Sequence, residues 1–232
     1  MMTSQIAENL ADVRRRIADA AARSGRTAAE VTLVGVTKYV TADAIRELVD
    51  AGCAELGESR PQQLWDKSAA LADLPIRWHM IGHLQRNKVQ RTVPVVEMIQ
   101  SVDSPRLVRA IDTAAVELVR RVAILIEVNV SGEEAKHGFA PQRVEPFLEE
   151  AATCKNVAVR GLMCMAGFDS GADAARRDFA ALRQLRDRLQ RNCPEDIALS
   201  ELSMGMSGDY EVAIEEGATI VRVGSALFRG IM

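Results

Sequence analysis

The stretch TLVGVTKYVTADAI, residues 32–45, decides the predicted fold. Its first half is dominated by apolar and β-branched residues, which is typical of a buried strand. Thr41 then precedes a helical pattern, and threonine is a common residue at the N-cap of a helix. A buried strand followed within a few residues by a helix is the repeating unit of parallel α/β folds. The stretch therefore predicts one β/α unit, with Lys38 at the end of its strand.

The same alternation continues along the chain of 232 residues, after a predicted helix over residues 5–23. The predicted strands are residues 31–37, 53–57, 76–82, 97–102, 121–130, 156–165, 198–205 and 218–224. Eight β/α units in this length predict a closed (β/α)8 TIM barrel, with residues 1–232 forming a single domain with an extra N-terminal helix. An open doubly wound sheet is the weaker alternative, because it usually has a glycine-rich turn after its first strand, and TKYVTAD contains no glycine.

Two of the connecting helices carry specific predictions. The pattern HLQRNKVQRTV predicts a helix over residues 83–93. In DSPRLV, Ser104 is the predicted N-cap and Pro105 the first helical residue, a position where proline is favoured.

Composition and charge exclude several classes of protein. The formal net charge is −3, so we expect neither a nucleic-acid partner nor an anionic membrane surface. No apolar run approaches the ~20 residues of a membrane span, and the N-terminus does not resemble a signal peptide. The four cysteines form no CxxC pair, which indicates reduced thiols. These features predict a cytoplasmic protein, and we expect a monomer.

Lys38 is an unusual residue for the end of a buried strand. In a barrel, functional groups lie at the carboxyl ends of the strands. By alternation Lys38 shares a face with Val34 and Val36, which places its amine in the barrel mouth if that face points inward. Desolvation there would favour the neutral amine, the nucleophile that forms Schiff bases. The alternative is a structural lysine that extends its ammonium into water.

Small residues follow the last two predicted strands, in the segments SMGMSG (203–208) and GSA (224–226). Backbone N–H groups at such helix starts can bind phosphate, and barrels often form a phosphate site after strands seven and eight. The predicted cradle consists of Ser203, Gly205, Met206, Ser207, Gly224, Ser225 and Ala226. Either segment alone is typical only of a turn. Together with Lys38, they predict a phosphorylated aldehyde such as pyridoxal 5'-phosphate (PLP).

Arg222 lies on the last predicted strand, between two valines that point the opposite way. A buried arginine needs a partner. If Arg222 faces the pyridine nitrogen of PLP, it keeps that nitrogen unprotonated and makes the ring a weaker electron sink. Such a site would hold PLP without favouring carbanion chemistry.

Eight longer motifs run through the chain: VGVTKYV, LGESRPQQL, WHMIGHLQRNKVQ, IQSVDS, VNVSGEEAKHGF, RGLMCMAGF, LSMGMSGDYEVAI and TIVRVGSALF. In this set of motifs the chain resembles the YggS/PROSC family of PLP homeostasis proteins, whose barrel is that of the alanine racemase N-terminal domain. The resemblance implies a PLP Schiff base on Lys38, Arg222 at the pyridine nitrogen and His83 in the pocket. It also implies that the phosphate is surrounded by Ser203, Met204, Ser207, Gly224 and Ser225. Ser59 stands where the family usually has an asparagine, so its contact with the ring is shorter in reach.

Three functions follow from this pattern. The first is a binding protein that holds PLP reversibly for intracellular homeostasis, releases it to apo-enzymes and has no strong catalytic activity. The second is a PLP-dependent racemase or lyase, which needs a second acid–base group that neither Tyr39 nor Tyr210 clearly supplies. Alanine racemase takes that group from a further C-terminal domain and a partner subunit, and we expect no such domain in this protein. The third is a cofactor-free Schiff-base aldolase acting on a sugar phosphate.

Other polar residues receive structural interpretations. His79 and His83 are four residues apart but lack a third ligand at a suitable spacing, so no metal site is predicted. Glu58 and Arg60 are predicted to form an ion pair at the barrel rim. Cys164, near the end of the sixth strand, is predicted to be a buried structural thiol.

Overall fold

The computed structural model describes residues 4–133, 136–167 and 171–231. Eight parallel strands form a closed barrel in which each strand pairs with its neighbours in the chain, and the last strand pairs with the first. The predicted (β/α)8 barrel is confirmed, and the open-sheet alternative is wrong because strands β1 and β8 are hydrogen-bonded.

The strands are shorter than the sequence pattern predicted. They are β1 Thr32–Val36, β2 Glu55–Glu58, β3 Arg77–Met80, β4 Met98–Val102, β5 Val122–Glu127, β6 Val157–Met163, β7 Glu201–Ser203 and β8 Ile220–Val223. The hydrogen-bonded ladder is shorter than the apolar pattern, which extends into the loops at one or both ends of each strand. Residues at and beyond the carboxyl ends of the strands form the site.

Helices follow the strands, and a further helix precedes them. They are α1 Gln5–Arg23, α2 Ala42–Asp50, α3 Pro61–Ala70, α4 Val89–Thr92, α5 Pro105–Ala115, α6 Pro141–Ala151, α7 Gly171–Gln190 and α8 Tyr210–Glu215. Thr41 caps α2 as predicted, accepting a hydrogen bond from the backbone N–H of Ala44. None of the helices in the described ranges has the length and apolar character needed to cross a membrane.

The predicted helix over residues 83–93 is only partly confirmed. Only Val89–Thr92 is α-helical, between two single 3₁₀ turns, and residues 83–85 form a loop at the barrel mouth. Pro94 contributes to the early end, because its ring clashes with the carbonyl four residues earlier and it has no N–H to donate. Pro105 is the first residue of α5 as predicted, but the Ser104 side chain makes no capping hydrogen bond.

The barrel interior contains both an apolar cluster and a polar one. Val34, Leu125, Met163 and Ile220 pack against each other inside, while the outward residues of the same strands join the main core beneath the helices. Helix α1 lies against α8 and is tied to the turn after β8 by Asn9, whose amide donates to the carbonyls of Leu227 and Arg229. The interior packing fills the barrel and leaves the carboxyl ends of the strands to form a site.

Candidate functional site

A cavity of ≈ 470 Å³ opens at the carboxyl ends of the strands. Six of the nine predicted cofactor residues line it: Lys38, Ser59, Ser207, Arg222, Gly224 and Ser225. They come from the ends of four strands, β1, β2, β7 and β8. Surface cavities of comparable size, ≈ 460 and ≈ 550 Å³, lie elsewhere, but neither is lined by a lysine or by the loops after β7 and β8. Its chemistry therefore makes the mouth cavity the candidate site.

Lys38 lies two residues beyond the end of β1 and lines the cavity, as predicted from the strand alternation. Its Nζ atom is 5.3 Å from the centroid of the Tyr39 ring, and Tyr39 is 71% exposed. The predicted desolvation of Lys38 is wrong, because the side chain is exposed at the open mouth. The protein itself thus leaves this amine accessible to a ligand that enters the cavity.

Thr37, the residue before Lys38, points the other way into a buried ion pair. Lys67 Nζ lies 2.6 Å from Glu58 Oε1 and donates to the Thr37 carbonyl at 2.6 Å. The Thr37 hydroxyl also donates to Glu58 Oε1 at 2.6 Å, while Glu58 Oε2 is buried with no partner. The predicted pairing of Glu58 with Arg60 is wrong, because the Glu58 side chain is fully buried and meets the cation of α3 instead. This cluster fixes the backbone next to Lys38.

The loops after β7 and β8, which the sequence predicts to be a phosphate cradle, line one side of the cavity. The Ser207 hydroxyl oxygen accepts from the backbone N–H of Gly224 at 3.1 Å and of Ala226 at 3.4 Å, which ties the two loops together. None of the hydrogen bonds found within the described ranges uses the backbone N–H groups of Ser207, Gly208 and Ser225, so these three donors are available to a ligand.

Gly205 allows the first of these loops to turn. Its φ is +91°, and a Cβ atom there would lie 2.6 Å from the Cβ of Ala213. Only glycine adopts this conformation without strain. Met206 lines the cavity, but its backbone N–H donates to the Asp209 carboxylate within the loop and is therefore not available to a ligand.

Three predicted cofactor residues do not line this cavity. Ser203 and Met204 are fully buried beneath it, and Met204 belongs to the main apolar core. His83 lies in a different cavity, formed by the loops after β3 and β4. The resemblance to the family implies that these three residues lie at the cofactor, but none of them lines the cavity.

Arg222 forms the floor of the cavity and is buried. Its guanidinium donates to the Ser203 hydroxyl and, at 2.9 Å, to the carbonyl of Cys164. Burial lowers the pKa of Arg222 below its ordinary value. Cys164 is fully buried as predicted, and burial raises the pKa of its thiol to about 12. These contacts fix the guanidinium in one orientation.

A chain of buried hydrogen bonds extends from Arg222 across the barrel interior. Ser203 donates to Gln100 Oε1 at 2.6 Å, and Gln100 Nε2 lies 2.9 Å from His79 Nδ1. With the amide oriented in this way, His79 Nδ1 accepts and Nε2 donates to Glu55 at 2.8 Å. Burial opposes the charge on Glu55, but hydrogen bonds from His79 and Arg77 hold the pKa of Glu55 below its usual value. His79 is thus a structural residue inside the barrel.

Glu127, at the end of β5, is a titratable residue that the sequence did not single out. It is 4% exposed and shares the interior face of β5 with Leu125. Burial, together with the negative charge of Asp103, raises the pKa of Glu127 to about 7, and the charges of Arg222 and His83 oppose that rise. The sequence signal was a carboxylate at a strand end in a barrel, which alone is weak.

Comparison with known proteins defines the class first. The family model for "Alanine racemase, N-terminal domain" matches residues 3–231. A pyridoxal phosphate homeostasis protein of Aquifex aeolicus is 43% identical over 221 residues, covering 95% of this chain and 96% of that one. The human protein of the same name is 36% identical and covers 93% of this chain and 83% of its own. The chain belongs to the family of pyridoxal phosphate homeostasis proteins.

Solved structures agree with this assignment. The structure of PipY from Synechococcus elongatus with PLP bound has a TM-score of 0.86 and 37% identity, covering 97% of this chain and all of that one, 100%. An alanine racemase of Clostridium difficile has a TM-score of 0.72 at 13% identity, and the match covers 56% of that enzyme. At this identity the racemase shows the shared fold alone.

Proposed function

We propose that this protein binds PLP in the mouth cavity, with Lys38 as the residue that bonds to it, and takes part in PLP homeostasis. The proposal is supported by the names of its relatives and by the related PipY structure with PLP bound. The single observation that carries it is that one cavity of ≈ 470 Å³ brings together an amine, backbone N–H groups able to bind a phosphate, and a fixed guanidinium.

The residues of the cavity fit the two reactive ends of this cofactor. When bound, PLP supplies an aldehyde carbon with which a lysine amine forms a Schiff base, with loss of water. Among the described residues that line the cavity, Lys38 alone carries a primary amine. The free N–H groups of Ser207, Gly208 and Ser225 are donors of the kind that bind phosphate oxygens.

Arg222 determines what the floor of the cavity offers to a ring nitrogen. A guanidinium can donate hydrogen bonds but cannot accept a proton. Ser203 and the Cys164 carbonyl hold it in place, so a pyridine nitrogen placed against it would stay unprotonated. This arrangement supports binding of the cofactor over its use as a strong electron sink.

The proposed role is that of a carrier, and no strong catalytic activity of its own is proposed. Racemisation requires an acid–base group on each face of the substrate carbon. The Tyr210 hydroxyl is buried without a hydrogen-bond partner, and burial raises its pKa, so it is not available to a substrate. Tyr39 reaches the cavity but is 71% exposed and no described residue donates to or accepts from its hydroxyl.

In the cell, the proposal includes transient contact with PLP-dependent apo-enzymes, a monomeric state and a cytoplasmic location. The four free cysteines support a reducing compartment, and three of them are buried. We also propose that residues 1–232 unfold as one domain. Analytical ultracentrifugation tests whether the protein is a monomer. A single calorimetric unfolding transition would support one domain.

The deciding experiment is reduction of the purified protein with borohydride after addition of PLP, followed by peptide mapping. The phosphopyridoxyl label is expected on Lys38, and Lys38→Ala should lose both the label and the visible absorption band. Lys155→Ala is the matched control, because Lys155 is an exposed lysine remote from the cavity lining. A band that persists in Lys38→Ala contradicts the proposal, and trapping of a phosphosugar without PLP would favour the aldolase.

A further inference from the structure

We propose that His83, Asp103 and His137 form a binding site for a divalent transition-metal ion of the zinc class. The site lies beside the PLP cavity and does not depend on PLP binding. The three residues follow three consecutive strands, β3, β4 and β5, so the barrel brings together residues that are up to 54 positions apart in the sequence. The His79–His83 pair, which the sequence suggested and lacked a third ligand, is not this site.

The distances among the three side chains are close to those of a metal centre. Asp103 Oδ2 lies 3.0 Å from His83 Nδ1 and 3.9 Å from His137 Nδ1. One ligand atom from each residue lies within 4.8 Å of the other two. Zinc bonds of about 2.0–2.2 Å separate the ligand atoms of a tetrahedral site by roughly 3.3–3.5 Å. Closing the site around an ion therefore needs shifts of about an ångström.

The two imidazole rings must turn to complete the site. Their planes lie within 15° of parallel and their centroids are 4.3 Å apart, so their nitrogen lone pairs do not meet at one point as they stand. The His83 side chain is 42% exposed and that of His137 is 59% exposed, which leaves room for rotation about their side-chain torsions. Asp103, 12% exposed, is the fixed member to which both rings adjust.

The backbone that carries these ligands is anchored to the barrel. The Gly82 carbonyl, just before His83, accepts from the Ser101 hydroxyl at 2.6 Å. Beyond His137, the Phe139 N–H donates to the Glu127 carbonyl at 2.8 Å. Gly138 between them has φ +108°, and a Cβ there would lie 2.9 Å from the Asn129 nitrogen. The position of His137 is thus determined by pairing with β5.

The donor set selects the kind of ion. Two imidazoles and one carboxylate suit zinc and its first-row neighbours, whereas calcium and magnesium prefer oxygen ligands. Three protein ligands on an exposed rim leave a coordination position open to solvent. The chain contains three histidines, and this cluster uses two of them, while His79 is buried and hydrogen-bonded to Glu55 and Gln100.

The test is a titration of chelator-treated protein with Co²⁺, followed by its ligand-field absorption, with displacement by Zn²⁺. We expect saturation at one ion per chain and at least a tenfold weaker affinity in Asp103→Asn and in His137→Gln. Asp43→Asn is the matched control, since it removes the same charge from an exposed acid outside the cluster and should bind Co²⁺ as the wild type does.

Three results would overturn the proposal. The first is absence of saturable ligand-field absorption in the wild type, and the second is unchanged affinity in both cluster variants. The third is thiolate-to-cobalt charge-transfer bands that vanish in Cys193→Ser, which would place the ion at the partly exposed cysteine. Circular dichroism of each variant establishes that it is folded. Because these readouts require no PLP, failure of the metal site leaves the proposed PLP function untouched, and the reverse also holds.

Discussion

Replacement of Lys67 should strongly destabilise the protein, and additional replacement of its partner Glu58 should restore part of the lost stability. Lys67→Met leaves the Glu58 carboxylate fully buried with only the Thr37 hydroxyl as donor, since its Oε2 already lacks a partner. Breaking one side of a buried ion pair typically costs about 3–5 kcal/mol, because the remaining charge stays desolvated. We therefore expect Lys67→Met to lower the free energy of unfolding by about 3–5 kcal/mol.

Glu58→Gln alone removes a charged acceptor but keeps an oxygen for Thr37 and Lys67, and we expect a loss of about 1.5–3 kcal/mol. The double variant buries no unpaired charge. It should therefore be more stable than Lys67→Met alone by at least about 1.5 kcal/mol, the opposite of what additive damage predicts.

Urea unfolding of the four proteins, wild type, both single variants and the double variant, measures this coupling from midpoints at constant slope. Lys155→Met is the control, since its exposed partner pair should contribute less than about 0.5 kcal/mol. A double variant no more stable than Lys67→Met would refute the reasoning. Since Lys67 also holds the Thr37 carbonyl, the folded double variant should bind PLP more weakly than wild type.

Three further predictions concern the site. Ser225→Asp should weaken PLP binding more than Ser59→Ala does, as measured by fluorescence titration. A carboxylate beside the free Ser225 N–H repels a phosphate, whereas loss of the Ser59 hydroxyl removes at most one hydrogen bond of about 1 kcal/mol. The reverse order would place the phosphate elsewhere. Burial raises the pKa of Glu127 in the folded protein from 4.5 to about 7, so its stabilising protonated form is fully present below pH 4.5 and is lost as pH rises through 7. The stability of Glu127→Gln relative to wild type should therefore increase between pH 5 and pH 8, by up to about 3 kcal/mol in the free energy of unfolding. A stability difference that does not change with pH would contradict this shift. In deuterated water with L-alanine, the PLP-loaded protein should release no D-alanine at a meaningful rate, and sustained Lys38-dependent D-alanine production would show that it is a racemase.

Local patterns in the sequence were enough for the barrel and for much of the site. The alternation of apolar runs and amphipathic segments depends on neighbouring residues, and it predicted eight β/α units because each strand and helix buries its own side. Lys38 and the loops after β7 and β8 were found for the same reason, since they directly follow strand ends. The error over residues 83–93 lies mainly at its start, because the apolar spacing did not show that residues 83–85 form a loop at the barrel mouth.

Side-chain partners across the barrel were decided only by the tertiary structure. Ser203 and Gln100 are hydrogen-bonded although they are 103 residues apart in the sequence. Glu58 pairs with Lys67 and not with Arg60, which is closer to it in the sequence. Such pairings depend on the tilt of the strands and on which side chains face inward at the same level, and neither is encoded in local spacing. By itself, the sequence predicted the barrel and a lysine at its mouth. Only the tertiary structure decided that the Cys164 carbonyl holds Arg222 and that His83 stacks on His137, because those contacts join regions that follow or lie on non-consecutive strands.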